Sequence, residues 1–180
     1  MLFCCFGVIT ASAATLNVVD GELLGAFRVS VGGSFYDVEF LPNTSCVEAY
    51  TGCDEPCDLT FIGTPTALDA SKALLDQVFL DVPAGAFDTQ PNLMAGCDTI
   101  SCYVVTPSFV GTNGSLFSLA AVNTSSIEDG FASISSSNAS FWIGERGKVL
   151  ALWTAVPEPS TALLMTLGFL ALGSRGRRDY

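Results

Sequence analysis

The chain has no histidine, and its basic residues are scarce: 7 Lys and Arg stand against 18 Asp and Glu, for a formal net charge of −11 at pH 7. Without histidine, neither a Ser-His-Asp triad nor a Cys-His pair can form, so an enzyme would have to use carboxylate or lysine chemistry. Nucleic acids and anionic lipid headgroups are bound through Lys and Arg that displace counterions. A surface this acidic therefore excludes a nucleic-acid partner.

Charged residues are few overall, at 14%, whereas hydrophobic residues make up 49% of the chain and aromatic residues 11%. Disordered acidic chains lack apolar residues, so this composition predicts a folded protein despite the charge. The chain has 180 residues, and the segments at its two ends, described below, differ from the rest. Between them, residues 14–155 have room for one domain of a common size.

The first residues have the pattern of an export signal. Residues 2–9 form an apolar run, and Ala11-Ser12-Ala13 has the small-x-small pattern that signal peptidase accepts. We therefore expect residues 1–13 to be a signal peptide that is cut between Ala13 and Ala14. The run is short and no Lys or Arg follows Met1, which leaves open a start codon further upstream, or a first buried strand at residues 2–9.

The last 25 residues, 156–180, differ from the body. Val156, Pro157, Glu158 and Pro159 precede an apolar segment, residues 162–173. As a helix, the 16 uncharged residues from position 159 to 174 would span about 24 Å, slightly short of the ~30 Å hydrocarbon core, so they predict a short transmembrane helix.

A basic stop follows the apolar segment, formed by Arg175, Arg177 and Arg178. Basic residues favour the cytoplasmic side of a membrane, so they place the carboxyl terminus in the cytoplasm and the body outside the cell. The two prolines at positions 157 and 159 keep the chain extended, because proline lacks an N–H and disfavours helix in the residue before it. An extended segment is what a protease can bind.

In these three ordered elements, about the last 23 residues strongly resemble the PEP-CTERM sorting domain. The resemblance implies that the tail is recognised by exosortase, a membrane-embedded cysteine protease of Gram-negative bacteria that make exopolysaccharide. It implies that the chain is a substrate and not the protease. The expected location is the cell envelope or the extracellular space, with transient membrane anchoring.

The body alternates as half-buried β-strands do. From Phe27 to Phe40, apolar and polar residues alternate on both sides of Gly32-Gly33, which predicts a hairpin with a primed turn. Residues 133–140 are serine-rich and fit a loop or an edge strand. Further strands are predicted at 16–19, 59–62, 103–106, 116–122, 139–143 and 149–154.

One amphipathic helix is predicted after Thr64-Pro65-Thr66, with Thr66 as its cap. Its apolar face is formed by Leu68, Leu75, Val78 and Phe79. Many strands, one helix and no βαβ alternation predict a mainly β or α+β fold, with an antiparallel sheet or a sandwich.

Cys4 and Cys5 lie in the signal, so the mature chain keeps five cysteines, Cys46, Cys53, Cys57, Cys97 and Cys102. Outside the cell these are expected to form disulfides, although five cannot all pair. Short separations favour Cys97 with Cys102, and Cys46 with either Cys53 or Cys57. The spacings are not those of zinc knuckles, and we expect neither a metal nor a cofactor.

Acidic and aromatic residues leave other activities open. Asp54, Glu55 and Asp58 could bind calcium, or form a solvated acidic loop. Asp37 and Glu39 resemble a glycosidase pair, but also the ordinary charges of a solvent-facing strand. Aromatic residues that could stack on sugars are Tyr36, Tyr50, Phe141 and Trp142.

The sequence therefore predicts a non-enzymatic exported protein, structural or associated with an exopolysaccharide matrix. Its expected partners are signal peptidase, exosortase, the membrane through its tail, and exopolysaccharide. The alternatives are a carbohydrate-binding module and, with less support, a carboxylate-dependent hydrolase.

Overall fold

The computed structural model describes residues 13–97, 100–126, 128–137 and 147–157. The helices are α1 (Cys46–Ala49) and α2 (Thr64–Gln77), with single 3-10 turns at Pro56–Asp58 and Pro91–Leu93. The strands are β1 (Thr15–Val19), β2 (Glu22–Val31), β3 (Ser34–Pro42), β4 (Asp81–Val82), β5 (Gly85–Ala86), β6 (Ser101–Val110), β7 (Leu116–Thr124), β8 (Gly130–Ser136) and β9 (Lys148–Ala155). The strand predicted at 139–143 lies outside the described residues.

The described strands form one seven-stranded sheet, in the order β1-β2-β3-β9-β6-β7-β8, and a separate β4–β5 hairpin. Neighbours in the large sheet are antiparallel except for β6 and β9, which are parallel. The prediction of a mainly β fold is confirmed, and the described strands adopt the single-sheet alternative and not the sandwich. β9, the last of the described strands, lies at the centre and joins two three-stranded meanders.

Both faces of this sheet are covered, so successive residues of its central strands are buried in different clusters. On the first face, which we call the helix side, Val104 and Ala151 pack with Ala70 and Leu74 of α2. On the opposite face, the loop side, buried residues of β6, β7 and β9 pack beneath the chain from Cys46 to Leu59, and these are Val105, Val110, Leu116, Ala120 and Leu150. This double burial explains why β6, β7 and β9 are apolar almost throughout.

The predicted helix is present as α2, but the prediction that Thr66 caps it was wrong. The helix begins at Thr64, and Gly63 is its N-cap with a φ of 87°, a backbone conformation that glycine adopts readily. The Thr66 hydroxyl instead donates to the carbonyls of Ile62 and Gly63, at 2.8 and 3.0 Å. The glycine therefore allows the helix to begin three residues earlier than the sequence pattern indicated, which is most of one helical turn.

The predicted hairpin at Gly32-Gly33 is confirmed, with φ of 59° and 90° at the two glycines. A bulge that the sequence did not reveal lies in its first strand, where Arg28 has a φ of 58° and donates its backbone N–H to Asp37 Oδ1 at 2.9 Å. The extra residue reverses the alternation, so Phe27 leaves the face of Val29 and is 47% exposed.

The strand predicted at 59–62 is wrong. This segment crosses the sheet between β9 and β6: Leu59 is buried in the loop-side cluster and Phe61 in the helix-side cluster. It alternates in burial without joining a strand ladder, which explains the misleading sequence pattern. Among the described residues, no helix is long and apolar enough to cross a membrane.

Candidate functional site at the sheet end that carries the tail

The sequence-predicted sorting motif begins where β9 ends, with no spacer between them. β9 pairs with β3 as far as Ala155 opposite Tyr36, and the Val156 N–H then donates to the Phe35 carbonyl at 2.9 Å. Pro157 is exposed. The rest of the motif, Glu158 and Pro159, and the basic stop, Arg175, Arg177 and Arg178, lie outside the described residues.

On its other side β9 pairs with β6 only as far as Leu150 opposite Val105. Beyond that point two side chains bind the β9 backbone. The Tyr50 hydroxyl donates to the Ala151 carbonyl at 2.9 Å and accepts from the Trp153 N–H at 3.3 Å. The Thr60 hydroxyl donates to the Trp153 carbonyl at 2.7 Å. Burial raises the pKa of Tyr50 to about 12, so the phenol stays protonated at physiological pH.

Trp153 anchors the end of β9 in the core. Its indole N–H donates to the Thr106 hydroxyl at 3.1 Å, and its ring meets Phe61 edge-on with 5.3 Å between centroids. Tyr36 packs on the same Phe61 ring, at 4.9 Å. Tyr50 and Tyr36 were both predicted as surfaces for sugar stacking. Tyr50 is only 6% exposed, so that prediction is wrong for Tyr50, and Phe141 and Trp142 lie outside the described residues.

The start of the body lies at the same end of the sheet as the start of the tail. Ala155 and Val29 both pair with Tyr36, so they lie at the same level of the sheet. Thr15 lies close to that level, because it pairs with Phe27, two residues before Val29. Three strand spacings therefore separate the two points, about 14 Å. The predicted signal-cleavage residues lie just before β1, with Ala13 exposed and Ala14 partly buried against the helix-side core. We call this region, where both ends of the body lie, the tail end of the sheet.

Asp37 and Glu39 face a shallow groove of about 220 Å³ on the loop side, which we call the carboxylate groove. Asp37 is already used in the fold, because it accepts the Arg28 N–H. The groove brings together side chains from four strands, namely Asn17, Phe27, Asp37, Glu39, Leu152 and Thr154. Only the two carboxylates were identified from the sequence, since the others meet through strand pairing.

The segment that covers the loop side is cross-linked by the Cys46–Cys53 disulfide, and a second disulfide joins Cys97 to Cys102. Cys57 is an exposed free thiol, and a hydrogen bond to Glu55 raises its pKa, which makes it a weak nucleophile. These two disulfides fit a secreted protein.

The acidic residues beside Cys57 serve the local fold. Asp58 Oδ2 accepts the N–H groups of Glu55 and Asp54, at 3.1 and 3.2 Å, and these bonds lower the pKa of Asp58. Within the described ranges no group of three or more cysteines and carboxylates is arranged to hold a metal ion.

A second acidic surface, which was not predicted, lies at the opposite end of the sheet. Asp81 accepts the N–H groups of Thr89 and Asp88, and these bonds lower its pKa. Nearby, burial and the neighbouring Asp88 raise the pKa of Asp129, whose Oδ1 accepts the Thr124 N–H at 2.8 Å. These residues come from β4, from the segment after β5 and from the β7–β8 turn, so no local motif could reveal the surface.

The sequence profile of the PEP-CTERM protein-sorting motif matches residues 155–178. No curated protein and no solved structure matches the chain. The matched span starts at the last residue of β9 and contains the Pro-Glu-Pro triplet, the apolar segment and the basic cluster. The prediction for the tail is therefore confirmed: residues 155–178 are a PEP-CTERM protein-sorting motif, which supports exosortase-dependent sorting of this chain to the cell surface.

Proposed function

We propose that the chain is a non-enzymatic extracellular β-domain that is exported through residues 1–13 and held briefly in the membrane by its tail. Exosortase then cuts the tail, and the body is released to the cell surface or to the exopolysaccharide matrix. The observation that carries this proposal is the direct continuation of the central strand β9 into the sorting motif.

The end of β9 supports the role of a protease substrate. Hydrogen bonding to β3 continues through Val156 and leaves Pro157 exposed. Proline has no N–H, so Pro157 cannot donate a hydrogen bond to the strand ladder. The body is therefore folded up to Val156, and the first proline of the motif is exposed where an enzyme could reach it.

The test replaces the motif in a host that makes exosortase. We expect a Pro157→Ala, Glu158→Ala, Pro159→Ala variant to stay in the membrane fraction, whereas the wild type reaches the surface or medium. A matched control, Glu55→Ala with Pro56→Ala, removes the same residue types from an exposed turn of the body. Release of the triple variant at the wild-type level would overturn the proposal.

The carboxylate groove favours a second candidate function, carbohydrate binding. Phe27 offers an exposed ring on which a sugar could stack, and Glu39, Asn17 and Thr154 beside it could bind sugar hydroxyls. The groove is shallow and open, as suits an extended polymer. Its residues lie on paired strands, which would hold them in a fixed arrangement.

Affinity electrophoresis in soluble exopolysaccharide tests this candidate. We expect retardation of the wild type, weaker retardation of Phe27→Ala and Glu39→Gln, and no effect of Phe131→Ala. Phe131 is a fair control because it is 44% exposed, close to the 47% of Phe27, but lies on β8. If no polysaccharide retards the wild type, this candidate is rejected without affecting the sorting proposal.

A further inference from the structure

The tail leaves the body on a tether shorter than the body itself. Five residues lead from Pro157 to Ala162, where the apolar segment begins, and even a fully extended chain of that length spans only about 17 Å. A folded domain of about 140 residues is roughly 37 Å across, from a radius of gyration near 14 Å. A body anchored by its tail cannot turn its opposite end toward the bilayer.

An exposed apolar patch lies at the tail end of the sheet. Phe109 and Phe117 are 45% and 44% exposed and their ring centroids are 5.9 Å apart. Ile62 is 55% exposed and is close to them in the fold, because the Gly63 N–H donates to the Ser108 carbonyl at 2.8 Å. The patch adjoins the tail exit through Thr60, which binds Trp153 of β9.

The charges of α2 near the patch offset one another, because the Asp69 carboxylate lies 3.9 Å from the Lys72 ammonium. Among the described residues, the opposite end carries one basic residue, Lys148, and six carboxylates on loops and strand ends. The six carboxylates are Asp20, Glu22, Asp81, Asp88, Glu128 and Asp129. The other described acids lie on the loop-side segment, on β3 or late in α2. An anionic bilayer therefore repels the opposite end more strongly than the tail end.

We infer that the patch of Ile62, Phe109 and Phe117 is a lipid-contact surface, which lies against the bilayer for as long as the tail anchors the chain. This inference rests on the proposed anchoring. Large apolar side chains enter the headgroup boundary favourably, and here the tether already holds them beside it. Removal of the tail frees the patch, because three side chains alone bind a bilayer weakly.

The test uses the full, uncut chain in phosphatidylcholine vesicles with brominated acyl chains, which quench tryptophan on contact. Two reporters are compared, each in a Trp142→Phe background: Phe117→Trp, and Phe131→Trp at the same 44% exposure near the opposite end. Buried Trp153 contributes equally to both. We expect quenching of the first reporter alone, and Phe109→Trp replaces it if Phe117→Trp does not fold.

Equal quenching of both reporters, or of neither, in a chain that floats with the vesicles would overturn the inference and leave the anchoring intact. If the uncut chain does not float with the vesicles, the tail does not anchor it. This result would refute the anchoring step of the proposed function, and the inference that rests on it. The measurement is repeated at two protein-to-lipid ratios. If the fluorescence of the Phe117→Trp reporter changes with the protein-to-lipid ratio but not with bromination of the lipid, the patch contacts a second copy of the chain. This result also overturns the inference.

Discussion

At the carboxyl end of β9, two side chains take the place of a neighbouring strand. Tyr50 and Thr60 bind the carbonyls of Ala151 and Trp153, and Tyr50 also accepts the Trp153 N–H. Buried backbone groups are almost always paired, so these hydroxyls are needed where β6 has turned away. On the β6 side, the end of β9 therefore depends on individual side chains, whereas the ladder with β3 continues on the other side.

Tyr50→Phe should lower the free energy of unfolding by about 1–3 kcal/mol, because it leaves two buried backbone groups of β9 without a partner. Urea denaturation of the body measures the change. Tyr36→Phe is the matched control, since no hydrogen bond of the Tyr36 hydroxyl is found among the described residues, and it should change stability by less than about 0.5 kcal/mol. Equal stability of Tyr50→Phe and the wild type would contradict this role.

Asp129 is expected to cost stability at neutral pH. Burial and Asp88 raise its pKa above the ordinary 3.8, so the folded state disfavours the carboxylate. The cost is absent below about pH 3.8, where Asp129 is protonated in both states, and grows as the pH rises through the folded pKa.

Asp129→Asn should therefore raise the melting temperature at pH 7 and have little effect at pH 3. Its amide oxygen can still accept the Thr124 N–H. Glu128→Gln, an exposed change on the same turn, is the control. Thermal melts at both pH values give the comparison, and an equal rise at pH 3 would refute the electrostatic cause.

At the scale of elements, the segment 46–59 is held over the loop side by its disulfide. A Cys46→Ser, Cys53→Ser variant should lose about 2 kcal/mol of stability, because the unfolded chain gains the freedom of a short loop. Cys57→Ser should have no such effect, since Cys57 is exposed and unpaired in the structure. Chemical denaturation without reductant measures both variants. An unchanged double variant would mean that burial of Tyr50 and Leu59 alone holds the segment.

Local patterns predicted most of the elements. Alternation and turn residues, which need no distant contact, predicted the Gly32-Gly33 hairpin and the strands that begin at Thr15, Ser101, Leu116 and Lys148. The bulge at Arg28 was not predictable, because it depends on a hydrogen bond from another strand, at Asp37. The central position of β9 is likewise a matter of long-range pairing.

The two parts of the site differ in the same way. The sorting motif occupies consecutive residues, so the sequence alone identified it. The carboxylate groove takes Asn17, Phe27 and Thr154 from three different strands. The apolar patch brings Ile62 close to Phe109 through the bond that the Gly63 N–H donates to the Ser108 carbonyl. Neither could be predicted before the strand order was known.

At the scale of the whole molecule, the order of synthesis and the order of strands are coupled. β1–β3 and β6–β8 each form a meander of sequence neighbours, and among the described strands β9 joins the two halves. On the proposed export route β9 would be the last strand of the body to leave the cytoplasm, so we expect the sheet to be completed outside the cell. Residues 148–157 contain both this strand and the start of the sorting motif, which would couple folding to sorting.

The intact mass of the exported chain, measured in a host that makes exosortase, tests sorting by tail removal most directly. We expect a product that starts at Ala14 and ends close to Pro157, without the apolar segment 162–173. A mature protein that reaches the surface with residues 161–180 still attached would contradict tail removal, and would leave the body a permanently anchored domain.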